Sequence, residues 1–145
     1  MPTFSGSFSG RANSQTVVSL RDVPNHDLNL AEITGPQQST DDKWNDAKIT
    51  YWGIADLHSG SGTQRGYWVN EHSDGDRDWG TFEGKVATTG SEVTLEGKFT
   101  VSGGTGKFNG ISGSGTYKGR MTSPFEVEMT WEGAYQLAAA KAQAR

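Results

Sequence analysis

Residues 93–135 read VTLEGKFTVSGGTGKFNGISGSGTYKGRMTSPFEVEMTWEGAY, and this stretch decides the fold. At its start Val93, Leu95, Gly97, Phe99 and Val101 share one side, while Thr94, Glu96, Lys98 and Thr100 share the other. At its end Phe125, Val127, Met129, Trp131 and Tyr135 oppose Glu126, Glu128, Thr130 and Glu132. A period of two with one apolar and one charged side marks a half-buried antiparallel strand. The glycine-dense segment between the two strands supplies sharp bends and close strand approach. Function is therefore sought on the apolar side, inside a curled sheet.

Working outward, the remaining chain breaks into similar runs. Phe4 and Phe8 alternate with Gly6 and Gly10 in a first strand over 3–11, and QTVVSL and DLNLAEIT follow as short strands. The polar segment 35–46 reads as a loop that covers one mouth of the enclosure. Strands at 47–57, 63–72, 78–87 and 92–101 are separated by SGSG, SDGD and TTGS, which suit hairpins. The count of seven to nine strands predicts a single all-β domain over 1–137, an eight-stranded antiparallel β-barrel. The alanine-rich 138–145 reads as a short helix or a fraying tail.

Composition excludes several functions. The chain has 145 residues, enough for one core, and a net charge of −4, which disfavours a nucleic-acid surface. With no cysteine, thiolate nucleophiles, disulfides and cysteine-ligated zinc are ruled out. His26, His58 and His72 form no H-x-x-x-H or H-E-x-x-H pattern, so only a three-histidine site assembled in space stays open and no metal site is assigned. GGTGKF lacks the spacing of a phosphate-binding loop, and no G-x-S-x-G elbow occurs. The amino terminus carries no signal-peptide pattern and no apolar run approaches a membrane span, so a soluble cytoplasmic protein is expected.

Turns placed at 59–62, 73–76 and 88–91 join Thr50, Trp52, Ile54, Asp56, Arg65, Tyr67, Val69 and Glu71 to Phe82, Val86, Leu95, Phe99, Tyr117, Met129 and Trp131 on one inner side. Four ionisable groups then fall inside: Glu32, Asp56, Arg65 and Glu71. Buried charges must pair or meet water, so these groups are candidates for orienting a ligand. Asp56 and Arg65 read either as a rim salt bridge or as ligand contacts. In the same register Trp68, Asn70, His72 and Trp79 point outward as a subunit contact, and a slip of one residue would turn them into the cavity instead.

VSGGTGKFNGISGSGTYKG followed by SPFEVEMTWEG resembles the carboxy-terminal half of the allene oxide cyclases, and DWGTFEGKV looks like the strand entry before it. A looser likeness reaches the dirigent proteins. The resemblance covers residues 78–135. It implies an eight-stranded barrel, usually trimeric, that holds an apolar ligand without a cofactor. The family's E-L-N-E segment is absent here; LAEIT places Glu32 in a loosely comparable position.

Two functions follow as expectations. One is a cofactor-free cyclase or isomerase acting on a small lipid-like or aromatic molecule. In it Glu71 and Glu32 are the catalytic carboxylates, and Trp52, Asp56, Arg65, Tyr67, Tyr117 and Trp131 bind the ligand. The other is a non-catalytic carrier or sensor barrel, with a packed structural barrel as a third option.

Overall fold

The computed structural model describes residues 2–138. Eight strands run in sequence: β1 (Thr3–Ser19), β2 (His26–Ser39), β3 (Lys48–His58), β4 (Ser61–Glu71), β5 (Arg77–Thr89), β6 (Glu92–Gly104), β7 (Ser112–Ser123) and β8 (Glu126–Gln136). Each pairs antiparallel with its neighbours, and β1 closes the ring on β8. Closure leaves no free edge around the ring, which an open sheet of this length would expose. No helix among the described residues is long and apolar enough to cross a membrane.

The inner side is built from aromatics set opposite glycines. Cross-strand partners include Gly6 and Trp131, Gly66 and Phe82, Trp68 and Gly80, Gly97 and Tyr117, and Phe99 and Gly115. At Gly6, Gly80, Gly97 and Gly115 the empty position is the socket for the aromatic side chain beside it. A Cβ at Gly6 or Gly115 would stand 2.5 Å from the Trp131 or Phe99 ring. Eight strands enclose little space, so large rings fit only where the facing residue has no side chain. Gly97 in β6 and Gly115 in β7 take this role, beyond the bends expected of the glycine-dense segment.

One end of the barrel is sealed. The connection 40–47 folds Trp44 beneath the strands, where it is fully buried. Its ring lies 4.7 Å from Phe4, 4.9 Å from Tyr135 and 5.3 Å from Phe108. Phe108, also fully buried, comes from a single 3₁₀ turn (Gly106–Phe108) between β6 and β7. Burying such rings contributes about 1.5–3 kcal/mol each.

Several expectations need correction. The runs at 3–11 and 15–20 are one strand, bent by an irregularity between Ala12 and Ser14. Residues 35–39 extend β2 rather than opening the loop. Phe125 lies exposed in the β7–β8 turn. The tail 139–145 lies outside the described residues.

The most consequential correction is the β4–β5 register. Glu71 pairs with Arg77, Asn70 with Asp78 and Trp68 with Gly80. Gly75, at φ +92°, makes a three-residue loop where four residues were expected. His72 closes that loop, its N–H donating to the Asp76 carbonyl at 2.9 Å. One residue fewer turns β3 and β4 over relative to β5, so Tyr51, Trp68 and Asn70 face the lumen.

Candidate functional site: a lumen with a hydrogen-bonded floor

A cavity of about 80 Å³ occupies the lumen, walled by Phe8, Tyr51, Trp68, Phe82, Phe99, Met129 and Trp131. Gln37, Asn70 and Asp78 lie at its sealed end, with Gln64 and Tyr117 toward the other. Gln37, Asn70 and Asp78 are 2%, 4% and 0% exposed, whereas Gln64 and Tyr117 are half-buried. Access therefore runs from the Gln64–Tyr117 end toward the floor.

Asp78 organises that floor. Its Oδ2 accepts from Trp44 Nε1 at 3.1 Å and Asn70 Nδ2 at 3.3 Å, and its Oδ1 accepts from His72 Nε2 at 2.7 Å. Asn70 Oδ1 accepts from Gln37 Nε2 at 3.1 Å, and Gln37 Oε1 accepts from Trp131 Nε1 at 2.9 Å. A buried carboxylate is tolerated when donors surround it, and here three do. The relay also fixes how both amides point. Within it each amide uses one of its two N–H groups, leaving the other for an acceptor in the cavity.

Two tyrosines hold neutral hydroxyls higher up. Burial pushes Tyr117 up to about 12, although the hydrogen bond from Gln64 Nε2 at 2.9 Å favours its ionised form. Burial also raises Tyr51 well above its ordinary value. The lumen thus offers apolar walls, neutral hydroxyls and oriented amides. That set suits binding and orienting a small uncharged or weakly polar molecule.

Of the residues expected in the site, Tyr117 and Trp131 line the lumen. The rest lie on the outer side: the five in β3 and β4 because the β4–β5 loop is one residue shorter than expected, and Glu32 beside its cross-strand partner Trp52. Glu71 is exposed, opposite Lys48 and Arg77. Arg65 is exposed, between Ile54 and Glu83. Glu32 accepts from Trp52 Nε1 at 2.7 Å and Asn13 Nδ2 at 3.2 Å on the barrel exterior. Tyr67 is 67% and Trp52 37% exposed. Asp56 faces Thr63 rather than Arg65, so the expected rim salt bridge does not form. The outward set is inverted in turn. Trp68 and Asn70 face the lumen, and His72 meets Asp78 at the floor. Trp79 stays outside, its ring 3.2 Å from the position a Cβ on Gly103 would take.

Sequence reading missed Tyr51, Gln37, Gln64, Trp44 and Asp78. The alternation of Ile49, Tyr51 and Gly53 against Trp68, Asn70 and Gly66 carried the signal, since lumen aromatics elsewhere alternate with glycine. Trp44 and Gln37 had no such signal, being in a segment without periodicity. No family model and no curated protein matches the chain.

Proposed function

We propose that this chain is a small-molecule-binding barrel whose lumen takes an apolar, one-ring or short-chain molecule with a polar group directed at the Gln37–Asn70 amides. The proposal rests on the juxtaposition of aromatic walls with a buried floor whose Gln37 and Asn70 amides are oriented by hydrogen bonds at the closed end of the cavity. The cavity volume is far below the roughly 300–1,000 Å³ of drug-sized sites. The occupant is therefore small, or the rings move to admit it.

Binding without turnover is the reading that the site favours. The Asp78 carboxylate is engaged by three donors, and the carboxylates first assigned to catalysis stand outside the lumen. The cyclase or isomerase reading, and membership of an allene oxide cyclase-like family, are supported by barrel architecture and by the motif likeness over 78–135. A homo-oligomer, a trimer by the same likeness, has its support in Leu30, Trp52, Ile54 and Tyr67, exposed together on the outer side of β2–β4.

Native mass spectrometry of gently purified protein tests this reading. A bound adduct of small mass, lost when Gly53→Leu fills the lumen, is the expected result. Retention of the adduct in that variant would place the ligand elsewhere and overturn it.

A further inference from the structure

The histidines divide between the two ends of the barrel. His72 serves the sealed floor, while His26 and His58 meet at the opposite rim as cross-strand partners of β2 and β3. Their rings stack with centroids 4.0 Å apart and planes 13° apart. Asp56, two residues before His58 and on the same outer side of β3, brings Oδ1 to 2.5 Å from His26 Nε2 and 3.9 Å from His58 Nε2. The three ligating atoms lie within 4.8 Å of one another. On the far side of the His26 ring, Nδ1 sits 2.7 and 2.9 Å from the two Asp22 oxygens.

This arrangement is built for a cation. One imidazole between two carboxylates, with a second imidazole stacked on it, concentrates negative charge and lone pairs at one spot. A dication can take the place of the Nε2 proton and use His58 as well. Asp22 then accepts from Nδ1–H, the carboxylate–histidine arrangement that fixes the tautomer and aims Nε2 at a metal. Zinc–nitrogen and zinc–oxygen bonds of about 2.0–2.2 Å require the 2.5 Å separation to open and the 3.9 Å one to close. Asp56 and His58 side chains are 50% and 60% exposed, so rotation of either achieves this without moving the backbone.

We propose that His26, Asp56 and His58 form a binding site for a divalent transition ion, zinc being the best match, with Asp22 positioning His26 and water completing the coordination. Imidazole and carboxylate ligands in this number suit zinc. The site joins the β1–β2 connection to β3, and it is independent of the lumen reading, since its residues lie on the outer side of the rim.

The test is calorimetric titration of Zn²⁺ into untagged, chelator-treated full-length protein, with histidine ring NMR signals followed in parallel. Expected are one Zn²⁺ per chain, shifts of the His26 and His58 signals, and an unmoved His72 signal. His58→Ala, at an exposed side chain, keeps the fold by circular dichroism and weakens binding by about 10-fold or more. Asp22→Asn leaves all three ligands and weakens binding by about 10–100-fold. Absence of binding at millimolar Zn²⁺, or equal affinity in parent and His58→Ala protein, would overturn the site. Unchanged affinity in Asp22→Asn would overturn the positioning role.

Discussion

Asp78 is the residue on which the floor depends. It is wholly buried and accepts from Trp44, Asn70 and His72, whose side chains are themselves buried. Asp78→Ala removes the common acceptor and leaves those donors unsatisfied, each at a cost of about 1–3 kcal/mol. Urea unfolding of this variant is expected to show a loss of at least about 2 kcal/mol, with His72→Ala and Asp78→Ala far from additive because they share one hydrogen bond. A variant within about 0.5 kcal/mol of the parent would mean that the relay does not order the floor. Nothing in the local sequence announced this role. Asp78 precedes Trp79 and Gly80 at a strand start, where an aspartate usually meets solvent, and its partners come from three separate elements.

At the scale of elements, the hairpin loops determine what faces the lumen. The β3–β4 and β5–β6 turns have two residues rather than the four expected, with Ser59 and Gly60 at φ 52° and 85° and Gly90 at φ 63°. Both are slips of two, which move partners along a strand and leave its sides unchanged. The alternation within β3 and β4 was therefore legible, and so was the inner side of β5–β8. The β4–β5 loop alone differs by one residue, and that single residue inverted the sides of β3 and β4. Hydrophobicity could not correct it, because Trp52, Ile54 and Tyr67 outside are as apolar as Tyr51 and Trp68 inside.

Glycines at loops and glycines in the wall are therefore expected to respond differently to alanine. Gly75 has open space around its missing Cβ, so Gly75→Ala incurs only the left-handed backbone strain, about 1–2 kcal/mol. At Gly115 the Cβ would overlap the Glu132 carbonyl and the Phe99 ring, and Gly115→Ala is expected to be clearly worse, at about 3 kcal/mol or more. Equal losses, measured by thermal or urea unfolding, would contradict the socket role of the wall glycines.

For the whole molecule, the buried hydroxyls set an alkaline limit. In the unfolded chain a tyrosine ionises near pH ~10, whereas Tyr117 in the barrel does so at about 12 and Tyr51 is also raised. Above pH ~10 the unfolded state has released protons that the folded state keeps, so stability falls as pH rises toward 12. Below pH ~10 both states are protonated and these groups contribute no slope. Unfolding free energies at pH 9, 10.5 and 11.5 are expected to decline, and Tyr51→Phe and Tyr117→Phe to flatten the decline. An unchanged slope in both variants would assign the alkaline loss to other groups.

A small ligand taken up at the aromatic wall of the lumen would be reported directly by the five tryptophans. Trp44, Trp68 and Trp131 line the cavity, whereas Trp52 and Trp79 lie outside it. The decisive measurement is a titration of phenol, as a one-ring probe with a polar group, followed by the indole N–H signals in a ¹H–¹⁵N spectrum. Saturable shifts of the Trp44, Trp68 and Trp131 signals, with Trp52 and Trp79 unmoved and the effect abolished by Gly53→Leu, are the predicted result. Shifts confined to Trp52 and Trp79, or no saturable shift in any of the five, would contradict a ligand-accepting lumen.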